Sequence, residues 1–568
     1  MVDDLRTPTT ATGRRDAAST TLAAGTAASD ESGAAASGTA ASGTAASGTA
    51  RDTGTGGAPR GRWDALLVGL VATVVGGALL WVPSVWYDEA ATVVAATRSW
   101  SELWRTVQTV DIVHLAWYAV VHVWFDLVGY SPLALRVPSA VLTGVAAGLT
   151  VVLGRRLVGR RAGVAAGLVL ALMPRTTLMA TEGRSFALST MLAVALTLVL
   201  LAAVDRGLGR RAGRSWPWWL GYAALAVVGT WSFLYLALLL VGHAVTVLVV
   251  LLRSRWSAPA RRVLVGFVTA GAVAAAGTLP VALLSSAQSG QVGWIKAPSA
   301  ETWRGFFVTQ WSIGNTPFAV ALWLAVAVGV ALLVARARGR GRAVTSPSPS
   351  PSPTPTAGVL AVTLPWLLVP TLTLLALSFV LDPLWSPRYQ TFSSPALALL
   401  AGVAVTAVPW RRGVAVLLVV AAALSAPSWW DQRQPTAKDV SAWDQVADIV
   451  AAERASEPAG TREGIVWGPV RRHPAATSRI IEYTYPDAFR GMDDFTLETP
   501  ADETGRLWED QYPLEDVLDR TDDLDVVWLV TSDRQDWRPR VTELLASKGF
   551  TLDEEWQVPR TNVLRFER

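Results

Sequence analysis

Two adjacent carboxylates stand in Tyr87-Asp88-Glu89-Ala90, directly after the first long apolar stretch of the chain. At the lip of a helical bundle a partly desolvated Asp is a better base toward an incoming hydroxyl than one in bulk water, while the plainer reading is a solvated acidic pair marking a helix end. Asp111-Ile112-Val113-His114 sets a second acid near an imidazole. That pair suits proton transfer or metal ligation, and equally an interfacial histidine. Glu182 and Arg184 flank Gly183 in a short turn between two apolar segments. Charge that close to hydrocarbon is costly, roughly 3 kcal/mol per group near a span centre and less at its edge, so such residues either have a task or pair with one another. Arg388-Tyr389 and Arg136, with Lys296 and Arg304 as weaker candidates, add cations where apolar segments end. A guanidinium binds phosphate through two parallel hydrogen bonds, and headgroup anchoring is the alternative. His122, His243 and His473 carry no pattern of their own.

The elements that must hold these groups are membrane helices. Of 568 residues, 51% are hydrophobic and 17% charged, and mean hydropathy is +0.35, more apolar surface than one globular core hides. Between residues 64 and 427 lie about eleven apolar stretches near the length that crosses about 30 Å of hydrocarbon. Cysteine is absent, which excludes thiol catalysis, disulfides and cysteine-ligated zinc. No basic stripe or RNA-binding motif points to nucleic acid. Net charge is +4, yet residues 431–568 hold 29 Asp+Glu against 17 Lys+Arg, so the two parts are expected to face different compartments.

Arginine clusters at 155–161, 206–214, 253–262, 336–342 and 411–412 all fall on the cytoplasmic side only if His114–Val128 lies flat in the interface. The spans are then predicted at 65–83, 137–154, 162–179, 186–204, 216–231, 233–252, 263–284, 317–335, 358–380, 391–408 and 413–427. Three domains follow. Residues 1–62, with an Ala-Ser-Gly-Thr-Ala repeat over Ala36–Ala50, read as a disordered cytoplasmic tail; residues 63–430 form the transmembrane catalytic domain; residues 431–568 form a small extracytoplasmic α/β domain. Ser346–Thr356 reads as a stiff cytoplasmic linker of polyproline character.

Taken in order, Tyr87 to Ala90, Asp111 through His114 to Tyr118, Gly129 with Leu135-Arg136-Val137-Pro138-Ser139, Gly154 to Gly159, Pro174 followed by Glu182 to Leu188, and Arg388-Tyr389 resemble the GT-C superfamily of polytopic glycosyltransferases. Within it they resemble the bacterial proteins related to protein O-mannosyltransferases and to lipid A aminoarabinose transferases. The likeness covers about residues 64–410. It departs after His114, where Leu115-Ala116-Trp117-Tyr118-Ala119 replaces the usual prolines and paired tyrosines, and at Phe186, which replaces a tyrosine. The resemblance implies the GT-C fold and an inverting glycosyltransferase of the bacterial plasma membrane. Such an enzyme moves a mannose-like or related sugar from a polyprenyl phosphate to an extracytoplasmic glycan, lipid or protein acceptor. It implies Asp88 as general base beside Glu89. Arg184, Arg388 and Tyr389, with Arg136 or Lys296, become the donor phosphate site, and Asp111, His114 and Glu182 support them. No cofactor is required, although a divalent cation on Asp88, Asp111 and Glu182 is chemically feasible. A transporter of lipid-linked sugars and a non-catalytic glycan-binding scaffold are the rival classes; neither the related halves nor the mid-span charge clusters of a transporter are present. Reporter fusions check the topology: a tag at Arg136 is expected outside and one at Arg160 inside.

Overall fold

The computed structural model describes Gly61 and residues 63–342 and 356–568. The tail expected at 1–62 and the Ser/Pro linker lie, apart from Gly61 and Thr356, outside the described residues. Among those described, seven helices are long and apolar enough to cross a membrane: Pro132–Leu157, Phe186–Gly207, Leu234–Arg253, Ala258–Ala287, Thr316–Arg338, Gly358–Leu377 and Arg411–Asp431. An eighth span is formed if Arg160–Leu172 and Pro174–Thr181, bent by 61° at Met173, count as one. Pro174 explains that bend, since it removes a backbone donor and disfavours helix at the residue before it.

Two predicted spans, 65–83 and 391–408, form shorter helices, and local breakers account for both. The first, α1 (Asp64–Gly77), stops where Ala78 turns extended and Leu79 adopts a left-handed φ of 61°. Its last carbonyls would be orphaned in an apolar setting. Arg433 answers them, donating to Val75 and Gly76 at 3.1 Å and to Ala78 at 3.1 Å. Ser394–Val405 is 12 residues long because the chain before it, Pro387–Ser393, winds as a 3-10 turn. Trp216–Ser232 has 17 residues.

Two short helices follow α1. Helix α2 (Tyr87–Ala96) starts from extended Trp86 and carries Asp88 and Glu89 in its first turn, where the positive end of the helix favours carboxylates. Its run of Ala, Thr and Val is buried from Glu89 to Ala96, so small side chains let neighbours approach on every side. Helix α3 (Trp100–Thr109) opens with a capping box on Ser99 and Glu102. Then come α4 (Leu115–Val128), which buries Trp117, Tyr118, Val121, His122 and Phe125, α5 (Pro132–Leu157), α6 (Arg160–Leu172), α7 (Pro174–Thr181) and α8 (Phe186–Gly207). Helices α5 and α6 pack through glycines: a Cβ on Gly154 would sit 2.5 Å from the Cα of Gly163, the close approach that small residues permit between membrane helices.

After Asp431 the chain builds a region of helices and short strands. Its four-stranded sheet has the order β1-β6-β8-β7, with β1 (Glu463–Trp467) parallel to β6 (Val526–Ser532), and β8 (Thr561–Glu567) antiparallel to both β6 and β7 (Thr551–Val558). Strand β6, Val-Val-Trp-Leu-Val-Thr-Ser, is buried throughout, as its β-branched run and central place require. Two small ribbons, β2 (Pro469–Val470) with β3 (His473–Thr477) and β4 (Leu497–Thr499) with β5 (Asp510–Gln511), complete it. This region is fastened beside α2: Ser84 Oγ accepts from the Trp443 amide at 2.9 Å, the Tyr485 hydroxyl accepts from the Val85 amide at 3.0 Å, and Tyr130 donates to the Thr484 carbonyl at 2.8 Å. Replacing Gly154 by Leu is expected to cost about 1–3 kcal/mol through overpacking, read as a lower melting temperature of the detergent-solubilised protein with Gly154→Ala as the milder comparison.

Candidate active site

The acidic pair at the start of α2 separates into two environments. Glu89 points inward and is fully buried, as is its partner Arg136 on α5. Its carboxylate accepts from Arg136 Nε at 3.0 Å and Nη2 at 2.8 Å, from Lys438 Nζ at 2.5 Å and from the Gly183 amide at 3.0 Å. The other Arg136 donors go to the carbonyls of Leu80, Pro83 and Ser84 at 2.7, 2.7 and 3.0 Å. All five N–H groups of a guanidinium are thereby committed. Arg136 therefore has no donor left for a phosphate, and Glu89, encased by four donors, is unavailable as a base. Both expectations are corrected, for one reason: these two charges neutralise each other. Burial pushes the Glu89 carboxyl up, but Arg136 and Lys438 outweigh it and hold it down at about 2.

Asp88 faces the other way and remains partly exposed. Its Oδ2 accepts from Arg388 Nη1 at 2.7 Å, and among the described residues its Oδ1 has no hydrogen-bond donor. Arg388, in the 3-10 turn Pro387–Ser393, lies over the Trp294 ring at 4.9 Å and the Tyr389 ring at 5.7 Å. Tyr389 in turn packs against Phe233 and Tyr235. The backbone carbonyl of Asp88 accepts from Arg184 Nη1 at 3.0 Å. Two guanidinium groups thus converge on one residue, and each has a buried Nε without a partner among the described residues, a combination that leaves donors free for an anion.

The turn that delivers Arg184 depends on Gly183. A Cβ there would meet Leu135 at 2.6 Å, while the Gly183 carbonyl accepts from Thr92 Oγ1 and from Trp117 Nε1, both at 2.9 Å. The guanidinium of Arg184 is aimed by the first-loop residues. Its Nη2 lies 2.8 Å from His114 Nε2 and its Nη1 donates to the Tyr118 hydroxyl at 3.3 Å. Because Arg is always the donor, His114 Nε2 must be the lone-pair nitrogen, and its proton sits on Nδ1, 3.4 Å from Ser185 Oγ. His114 is neutral here: burial, then Arg184 and Arg388, hold its pKa well below the ordinary histidine value. Tyr118 in turn donates its hydroxyl hydrogen bond to Asp111 Oδ2 at 2.7 Å, so Arg184, Tyr118 and Asp111 form a hydrogen-bonded chain.

Glu182 makes no hydrogen bond among the described residues. Burial raises its carboxyl pKa, against the pull of Lys438, Arg388 and Arg175. Lys296 is exposed two residues beyond Trp294 and pairs with none of these groups. Among the described residues no set of three or more His, Asp or Glu side chains is arranged to hold a metal ion: Asp88 is taken by Arg388 and Asp111 by Tyr118, so the three carboxylates considered for a cation do not form a cluster. His243 is buried between Tyr222 and Thr197, and His122 bonds the Ala96 carbonyl.

Three participants escaped the sequence reading. Arg175, on α7, donates to the Gln310 and Thr309 carbonyls at 3.0 and 2.7 Å. Its signal is an arginine directly after Pro174 inside an apolar stretch. Lys438 bonds both Glu89 and the Thr181 carbonyl at 2.5 Å, and its signal is rarity, since the chain has only three lysines. His473 stacks on Tyr87 with centroids 3.5 Å apart and planes 6° from parallel, a contact across 386 positions that no local pattern announces.

No protein-family profile and no curated protein sequence matches this chain. Solved structures do. ArnT from Cupriavidus metallidurans, in the apo state and bound to undecaprenyl phosphate, aligns at 15% identity with a TM-score of 0.52, over 88% of this chain and 97% of that one. The archaeal oligosaccharyltransferase AglB from Archaeoglobus fulgidus aligns at 13% identity with a TM-score of 0.44, over 83% of this chain and 69% of that one.

The Glu89 cluster sets an acid limit on stability. A carboxyl lowered from 4.5 to about 2 contributes stability that is complete above the unfolded value and lost as pH falls through the folded one. The melting temperature is therefore expected to fall between pH 4.5 and 2, and Glu89→Gln, already destabilised at neutral pH, is expected to show a flatter profile across that window.

Proposed function

We propose that this chain, whose fold aligns with ArnT over 88% of its length and 97% of that protein's, is an inverting glycosyltransferase using a sugar, mannose-like or related, carried on a polyprenyl phosphate, and that Asp88 is its general base. One observation carries this reading: among the described residues Asp88 has one carboxylate oxygen held by Arg388 and the other without a donor, beside two guanidinium groups with unused buried N–H. A solved structure of ArnT, the similar protein, contains undecaprenyl phosphate.

In the proposed reaction the acceptor hydroxyl binds Asp88 Oδ1 and attacks the anomeric carbon from the face opposite the phosphate. Its proton passes to Asp88, the new C–O bond forms as the bond to the phosphate oxygen breaks, and polyprenyl phosphate leaves with the electron pair. The sugar inverts. Arg184 and Arg388 neutralise the charge growing on the leaving oxygen, a stabilisation that strengthens where water is scarce. His114 and Tyr118 are positioning residues that fix Arg184, and Tyr389 with Trp294 walls the Arg388 side. Glu182 is assigned to orienting the acceptor or Arg184. The catalytic part comprises residues 63–430. The arginine-rich loops support a cytoplasmic N-terminus, with the site and residues 431–568 on the outer side of a bacterial plasma membrane, where cell-envelope molecules would be the acceptors.

With purified protein, labelled polyprenyl-phosphate sugar and cell-envelope acceptors, Asp88→Asn is expected to lower the transfer rate by about 10²–10⁴-fold, with donor binding retained. Arg184→Met and Arg388→Met are expected to lose transfer by a similar factor. Normal transfer by Asp88→Asn defeats the base assignment, and movement of sugar lipid across liposomes without transfer favours a transporter.

A further inference from the structure

A cavity with about 340 Å³ of free volume lies between α6 and the helix Arg411–Asp431, within the roughly 300–1,000 Å³ range of small-molecule sites. It is at the opposite end of the bundle from Asp88. Helix α5 carries Arg136, the partner of Glu89, near its start and Arg155 and Arg156 in its last turn, about 20 residues and about 30 Å further on. Helix α6 opens just beyond, with Arg160 and Arg161. Val164 and Leu168 of α6 and Val414 and Leu418 of the other helix line the cavity. The two members of each pair are four positions apart, so each wall is an apolar stripe along one helix face, running into the bilayer. At the end where both helices begin stand Asp64, Arg160, Arg161, Trp410 and Arg411.

We propose that this cavity holds one anionic phospholipid, its phosphate at Arg161 and Arg411 and an acyl chain along the apolar stripes. On the topology proposed above the lipid belongs to the cytoplasmic leaflet, and the inference does not depend on the glycosyltransferase reading. Charge selects an anion. Arg160 is spent on Asp64, at 2.6 and 2.9 Å. Arg161 and Arg411 are exposed, and neither side chain has an ion pair or hydrogen bond among the described residues. The lining therefore keeps two uncompensated guanidinium groups, whose parallel N–H donors match a headgroup phosphate. Each stands in the first turn of its helix, the end whose dipole disfavours a cation, so helix stability does not explain them. The inside preference for arginine accounts for their side of the membrane, but not for a cavity beneath them. Depth selects a lipid. A free phosphate would use the charged end alone, whereas a phospholipid also covers the apolar stripes, and basic pockets between membrane helices suit such headgroups. Trp410, 61% exposed, is the amphipathic ring favoured at headgroup level. Only Ser425 is buried along Arg411–Asp431, so a lipid wedged against α6 supplies contact that the protein does not.

The measurement is native mass spectrometry of the detergent-solubilised full chain, titrated with phosphatidylglycerol or phosphatidylcholine, with the melting temperature read in parallel. One phosphatidylglycerol is expected to bind roughly tenfold tighter than phosphatidylcholine and to raise the melting temperature. The double variant Arg161→Gln with Arg411→Gln is expected to lose that preference. Leu168→Trp, which fills the apolar wall and leaves both arginines in place, is expected to weaken phosphatidylglycerol binding as well. Arg253→Gln with Arg262→Gln, a pair outside the cavity, is expected to keep the preference. Folding of each variant is checked by its melting temperature without added lipid, and Val414→Phe replaces Leu168→Trp if the latter does not fold. The proposal is overturned if phosphatidylglycerol binds no tighter than phosphatidylcholine, if the folded double variant keeps the preference, or if the outside pair abolishes it equally. It is also overturned if the wall variant binds as the wild type does, or if inorganic phosphate alone displaces the lipid and gives the same stabilisation, which would assign a free anion.

Discussion

The structure turns on one buried carboxylate. Glu89 accepts from Arg136, Lys438 and the Gly183 amide, and each donor arrives from a different part of the chain. Arg136 also gathers the carbonyls of Leu80, Pro83 and Ser84, which fixes the path from α1 into α2. Gly183 belongs to the turn that carries Arg184. Lys438 belongs to the passage from the last long helix into the C-terminal region and bonds the Thr181 carbonyl as well. An unpaired charge in this setting would cost several kcal/mol, and removing one partner of a buried pair costs roughly 3–5. The backbone therefore has little choice of arrangement. Asp88, adjacent in sequence and facing outward, inherits its position from a neighbour whose carboxylate is wholly committed to these donors.

This division of labour explains which parts of the site were legible. Residue type and order identify Asp88, Arg184 and Arg388 as candidates, and the structure brings the three together. Glu89 and Arg136 read as candidates on the same grounds, because a carboxylate and an arginine at the outer ends of apolar segments look functional until their mutual distance is known. Forty-seven positions separate them, and local spacing carries no information about a contact of that range. Lys438 is 349 positions from Glu89 and sits in a stretch with no motif. The apolar stretches were visible from hydropathy, yet α1 ends at Gly77 because Leu79 takes a left-handed backbone, and a hydropathy window does not resolve φ. In the C-terminal region β6 is plain from its β-branched run, whereas the Tyr87–His473 stack is a tertiary contact between two unremarkable residues.

The Asp88–Arg388 pair has a further meaning on the proposed mechanism. Arg388 Nη1 serves Asp88 Oδ2 in this structure, while its Nε is buried and idle. A phosphate entering between Arg184 and Arg388 would engage that idle donor first and then compete with Asp88 for the rest of the guanidinium. The two anions share one cation, so each weakens the hold of the other on it. An Asp88 released in proportion to phosphate binding would face an acceptor hydroxyl with both oxygens available, and a protonated Asp88 would return Arg388 wholly to the leaving group. The cation that holds the base in the unliganded protein would thus serve the departing phosphate during transfer. Of Asp88, Arg184 bonds only the backbone carbonyl, and His114 and Tyr118 hold its guanidinium, so on this mechanism one arginine would shift its charge while the other keeps the frame.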